Sequence, residues 1–111
     1  MTEITQPAPE APSPAFANPA VARCCAASAR AYKAAVANGK GKVFSDLNAE
    51  QAYRNNLPPL SGPENIRDFI ACVAHGMLIG AIEGPAGARL LYAAQVAATT
   101  VRSQPSPPKS A

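Results

Sequence analysis

The chain has 111 residues and a net charge of +3, from ten lysines and arginines against seven acidic residues. That length sets one domain as the expectation, and the mild positive charge permits a nucleic-acid or acidic partner without requiring one. Three cysteines, two of them adjacent, exclude a secreted disulfide framework.

The first residues, MTEIT, carry no positive charge and no apolar run follows, so no signal peptide is expected. The longest uncharged run, 69–82, is 14 residues, short of the roughly 20 that span a membrane. A cytoplasmic protein in a reducing compartment, away from membranes, is the expectation.

Residues 1–17 hold Pro7, Pro9, Pro12 and Pro14 among alanine and serine, a composition that predicts a disordered, solubilising tail. Asn18 and Pro19 then supply an N-cap and a first-turn proline. They open a helix that runs to about Asn38, with Gly39 just past its end. Its apolar stripe is Val21, Cys24, Cys25, Ser28, Tyr32, Ala35 and Val36, while Arg23, Arg30 and Lys33 lie opposite. Residues 39–44 predict a loop. Ser45, preceded by Phe44 as a staple, caps a short helix over 46–55. Asn55 to Pro59 ends it.

The most apolar stretch, 61–82, predicts the central helix. Ser61 and Glu64 form a capping box. Ile66, Phe69, Ile70, Val73, Met77 and Ala81 make one stripe, and Ala71, Cys72, His75, Leu78, Ile79 and Ile82 make the opposite side no more polar. A helix apolar all round belongs in a core or an interface. A turn at 83–85 leads to a last helix, 86–102, with Leu90, Ala93, Ala94, Ala97 and Val101 inward and Tyr92, Gln95 and Thr99 outward. The short connection predicts an antiparallel hairpin. Residues 103–111 repeat the Pro/Ser character of the N-terminus and are expected to be free.

Cys72, Gly76, Gly80 and Gly84 recur every four residues, which predicts a groove for a closely packed helix. Each interior glycine costs about 1 kcal/mol against alanine, and close contact would offset that. The expected interface is Cys72, Gly76, Gly80, Ile79 and Ile82, facing either the last helix or a second copy.

Cys72 and His75 are three apart on one helix, and Cys24 and Cys25 sit on another, so a Cys/His metal site is worth weighing. No C-x-x-C spacing supports it, and adjacent cysteines point about 100° apart. Buried core cysteines are the expectation, with no metal and no cofactor. Asp68 lies about 10 Å along the axis from His75 at 1.5 Å per residue, too far to orient its imidazole, so no catalytic triad is expected. His75 reads as a core imidazole bonded to a neighbouring acceptor. Arg23, Arg30, Lys33, Lys40 and Lys42 form a candidate strip for phosphates, but no helix-turn-helix pattern accompanies them.

The segment from about 65 to 96, NIRDFIACVAHGMLIGAI and then LLYAAQV, resembles short uncharacterised proteins of soil bacteria. The likeness covers about a third of the chain. It implies a bacterial cytoplasmic protein and assigns no residue a role.

These readings converge on an all-α fold: three main helices and one short one over 18–102, between disordered Pro-rich ends. The expected function is non-catalytic, through self-association or contact with another protein. The alternatives are a nucleic-acid accessory role for the basic first helix and a metal- or thiol-dependent activity at Cys72 and His75.

Overall fold

The computed structural model describes residues 18–103. They form four helices, and the expectations for 1–17 and 104–111 lie outside them. The helices are α1, Pro19–Ala37; α2, Lys42–Asn55; α3, Pro63–Leu78; and α4, Gly84–Ser103. The fold is all-α, as the periodicity predicts. No helix among the described residues is long and apolar enough to cross a membrane.

Helix α1 begins as its sequence dictates. The Asn18 side chain accepts from the Ala20 and Val21 N–H groups at 2.8 and 3.2 Å, with Pro19 at the first position, where no N–H is needed. At its end Gly39 adopts φ +79°. The Lys40 N–H then reaches the Ala35 carbonyl at 3.0 Å and the Gly39 N–H reaches Val36 at 2.9 Å, a Schellman motif that satisfies two orphan carbonyls.

Helix α2 starts four residues before the predicted 46. Gly41 is its N-cap, and its carbonyl accepts from the Ser45 N–H at 2.9 Å. Ser45 is therefore not a cap. It lies inside the helix, fully buried, with its hydroxyl unpaired among the described residues. The seam between α1 and α2 explains the position. Tyr32 and Asp46 line one flank of it, while Asn38 and Asn55 line the other. Small side chains line both flanks: Ser28 and Ala49 on the first, Ala31, Ala35 and Ala52 on the second. Such residues let two backbones approach closely. Ser45→Ala keeps the size and removes a desolvated hydroxyl, so it is expected to raise stability by about 1 kcal/mol. Urea unfolding checks this, and a loss of stability would mean that the hydroxyl has a partner.

Helix α3 buries Ile66, Phe69, Cys72, Val73 and Gly76. Its N-cap is Gly62, with no side-chain capping bond, so the Ser61–Glu64 capping box does not form. The helix also stops short of the predicted 82. Gly80 takes φ +83°, the Ala81 N–H bonds the Gly76 carbonyl at 2.8 Å, and the Gly80 N–H bonds Met77 at 3.3 Å. This second Schellman motif turns the chain back, and Ile82 folds onto the helix it has just left. The all-round apolar character does not mean all-round burial: Ile70, Leu78 and Ile79 are exposed.

Two antiparallel hairpins result. Cys24 meets the end of α2 through Asn56, and Gly87 of α4 lies against Met77 of α3. Asn18 bonds Asp68 at 3.1 Å, which ties the start of α1 to α3. In α4, Ala94 is buried and Leu90, Ala97 and Val101 are half-buried, while Tyr92, Gln95 and Thr99 face out. Ala93 is exposed, and half-buried Leu91 takes the inward place predicted for it.

The centre of the core is a residue that pattern reading passes over. Tyr53 of α2 is fully buried, and its hydroxyl donates to the Cys72 carbonyl at 2.7 Å. One turn later, the backbone of Gly76 leaves room for the same ring. Leu57 and Leu60, from the proline-containing link to α3, pack on this cluster.

Candidate functional site

The residues expected at an interface divide. Cys72 is 0 % and Ile82 2 % exposed. Gly76 is also buried, and a Cβ built there would stand 2.8 Å from both Ile82 Cδ1 and Tyr53 Cε1. These three form the chain's own core, so the glycine series is not an open groove. The absent side chain of Gly76 accommodates Tyr53 and Ile82, whereas Gly80 serves as a left-handed helix terminator. Only Ile79, 51 % exposed, and Gly80 remain on the surface.

Other large apolar side chains on α2 and at the end of α3 are exposed like Ile79. Ile79 and Gly80 line a shallow cavity of about 350 Å³ with Glu50 and Ala81. Across that Glu50–Ala81 seam lies Leu47, 57 % exposed. Val43 and Phe44 lie one turn back on α2, and Leu78, 82 % exposed, precedes Ile79. The Arg54 guanidinium donates to the Ala81 carbonyl at 3.0 Å and fixes the turn against α2. Sequence reading missed Val43, Phe44 and Leu47 because it placed 39–44 in a loop and gave the helix no outer apolar face.

The basic residues also divide. Arg23, Arg30 and Lys33 are exposed on the outer face of α1. Lys42 is paired with Asp46 at 2.8 Å, and Lys40 sits over the Phe44 ring, 4.9 Å from its centroid. Both lysines remain exposed, so all five cations of the candidate strip face solvent, two of them with a surface contact on α2.

The thiols lie inward. Cys24 and Cys72 are fully buried and Cys25 is half-buried, and none is in a disulfide. Cys24 donates to the Asn56 carbonyl at 3.3 Å. Burial pushes the Cys72 thiol up to about 12, with the Cys24 sulfur beside it adding to the rise. Burial raises Cys24 and Cys25 as well. Thiolate is the reactive form, so this environment opposes nucleophilic or metal-binding chemistry. His75 is half-buried, and the Asp68 carboxylate accepts from the Asn18 amide at 3.1 Å. No group of three or more metal-ligating side chains occurs among the described residues.

A pH dependence follows. The folded chain holds the Cys72 proton above the ordinary value of 9.0. The associated stability is complete below pH 9 and is lost as pH rises towards about 12, because the unfolded thiol ionises first. A thiol-specific disulfide reagent at neutral pH is expected to modify Cys25 first, more slowly than a free thiol, and Cys24 and Cys72 only as fast as the chain opens. Cys72 reacting as fast as Cys25 would contradict this burial.

Compared with protein-family models, with curated proteins and with solved structures, the chain matches none.

Proposed function

We propose that this protein is a small, non-catalytic helical module that acts through protein–protein contact, with a second copy of itself as the first partner. The observation that carries the reading is the exposure of five large apolar side chains on two neighbouring elements, Val43, Phe44 and Leu47 on α2 and Leu78 and Ile79 at the end of α3, each at least half exposed. Large apolar side chains exposed together on neighbouring elements mark interaction sites. A domain of this size also buries a modest share of its surface, which partner contact would supplement. The thiol-rich, disulfide-free core suits a reducing cytoplasm, and we place the protein there.

The interface is moved from the glycine series to these side chains. Leu47→Asp with Ile79→Asp is expected to yield a folded monomer from an associated wild type, read by sedimentation velocity beside circular dichroism. Unchanged association in the double variant would refute this interface. A second reading, binding of nucleic acid by the basic face of α1 and the turn into α2, draws on the exposed Arg23, Arg30, Lys33, Lys40 and Lys42. Three to five phosphate contacts would give a log–log salt slope of about −3 to −5 for duplex DNA. Copurifying nucleic acid released along such a slope would favour that reading over self-association.

A further inference from the structure

We infer that the groove between the start of α3 and the end of α4 binds a small carboxylate amphiphile, a molecule with one anionic head and a short apolar tail. The groove is a cavity of about 290 Å³ lined by Ile66, Ile70, Ala98 and Val101, with Arg67 and Arg102 in the same walls. Ile66 is buried, Val101 half-buried and Ile70 exposed, so the apolar lining runs from the core out to solvent. Apolar walls with a few convergent polar groups are the make-up of a small-ligand site, and the volume stands at the lower end of the usual range of about 300–1,000 Å³.

The charge in the groove is positive and uncompensated. Both arginines are exposed, and neither forms an ion pair among the described residues. Glu64 and Asp68 are the acids closest to Arg67 in sequence, and Asp68 accepts from Asn18 instead. No acidic residue follows Glu83, so Arg102 has none on its own helix. The two guanidiniums also converge. Gly87 lies against Met77, and counting outward from that contact along the antiparallel pair sets Arg67 level with Ala97 and Arg102 level with Gly62, about 7.5 Å apart at 1.5 Å per residue. Side chains on a helix lean towards its N-terminus, which here carries each arginine towards the other. Two forks of N–H donors facing one space fit a carboxylate between them.

The apolar lining takes the tail. Its α3 side spans 63–70, about 10 Å at 1.5 Å per residue, which suits an acyl chain of medium length. Two cations are too few for an anionic membrane surface, whose binding helices carry a whole basic face. The small volume favours a carboxylate over a bulkier phosphodiester head. This site lies apart from the exposed α2–α3 side chains and does not depend on self-association.

The test is a titration of the full chain with sodium octanoate, followed by methyl NMR at constant protein concentration. Saturable shifts are expected at the Ile70 and Val101 methyls. Acetate, which lacks the tail, and octylammonium, which reverses the head charge, are expected to leave those methyls in place at the same concentration. Arg67→Gln with Arg102→Gln should weaken octanoate binding by about tenfold, the loss of charge-assisted hydrogen bonds, at unchanged circular dichroism. No shift at Ile70 and Val101 with octanoate overturns the proposal. Equal shifts with octylammonium, or undiminished binding in the double variant, would reduce it to unspecific apolar contact and overturn it too. Methyl shifts that move with protein concentration alone would assign the groove to a second copy. Contacts from the prolines of 104–111 in the ligand-free chain would assign it to the chain's own end, and either result overturns the proposal.

Discussion

Tyr53→Ala is expected to cost about 3–5 kcal/mol, the range for removing a buried aromatic. Small domains are held together by only about 5–15 kcal/mol, so the variant should lose a large share of its stability and sit close to its unfolding midpoint if the wild type lies at the low end. The reason is position. The ring is fully buried, it fills the space left by Gly76, and its hydroxyl joins α2 to the middle of α3. Alanine removes all three at once. Tyr53→Phe removes only the bond to the Cys72 carbonyl, which lies mid-helix and retains its helical donor, so its cost should be about 1 kcal/mol. Urea unfolding separates the two variants, with the midpoint falling at constant slope if two-state behaviour holds. Equal losses in both would place the importance of Tyr53 in its hydroxyl rather than its packing.

Gly76→Ala is the second large effect. Alanine is the better helix former by about 1 kcal/mol, so a solvent-facing glycine would gain from the change. Here the new Cβ would stand 2.8 Å from Tyr53 and Ile82, and overpacking of this kind costs about 1–3 kcal/mol. The net result is expected to be a loss. Ile82→Val should return part of it, because residues in contact couple by about 0.5–3 kcal/mol. Association should be unaffected, since the clash lies inside one chain. A Gly76→Ala protein that is more stable, or that changes its oligomeric state alone, would restore the intermolecular groove.

The comparison of sequence with structure turns on these residues. Helix α1 was legible because Asn18, Pro19 and Gly39 are local signals, each acting through its own backbone. The apolar face of α3 was legible from Ile66, Phe69 and Val73 by period alone. Two features of that segment were not. The recurrence of Gly76 and Gly80 looks like one device, yet Gly76 accommodates neighbouring side chains and Gly80 reverses the chain. Only the path after Leu78 separates the roles, and that path depends on Ile82 returning to the core. Tyr53 was invisible for a related reason. Its neighbours Gln51, Arg54 and Asn55 are polar, so no stripe announces a buried ring, and its burial is decided by α3, some twenty residues away. The α2 start was misplaced because Ser45 has the chemistry of a cap, and tertiary packing against α1 outweighed it. The candidate interface was half legible: Ile79 stood out as apolar, but its exposure follows from the early stop of α3.

The most direct measurement of the central claim is a native mass spectrum of the untagged, full-length protein at micromolar concentration. The expected result is a species at twice the 11.4 kDa chain mass with nothing added, lost when Leu47 and Ile79 are both replaced by aspartate. A bare monomer throughout would contradict self-association and leave the exposed α2–α3 side chains without their first partner.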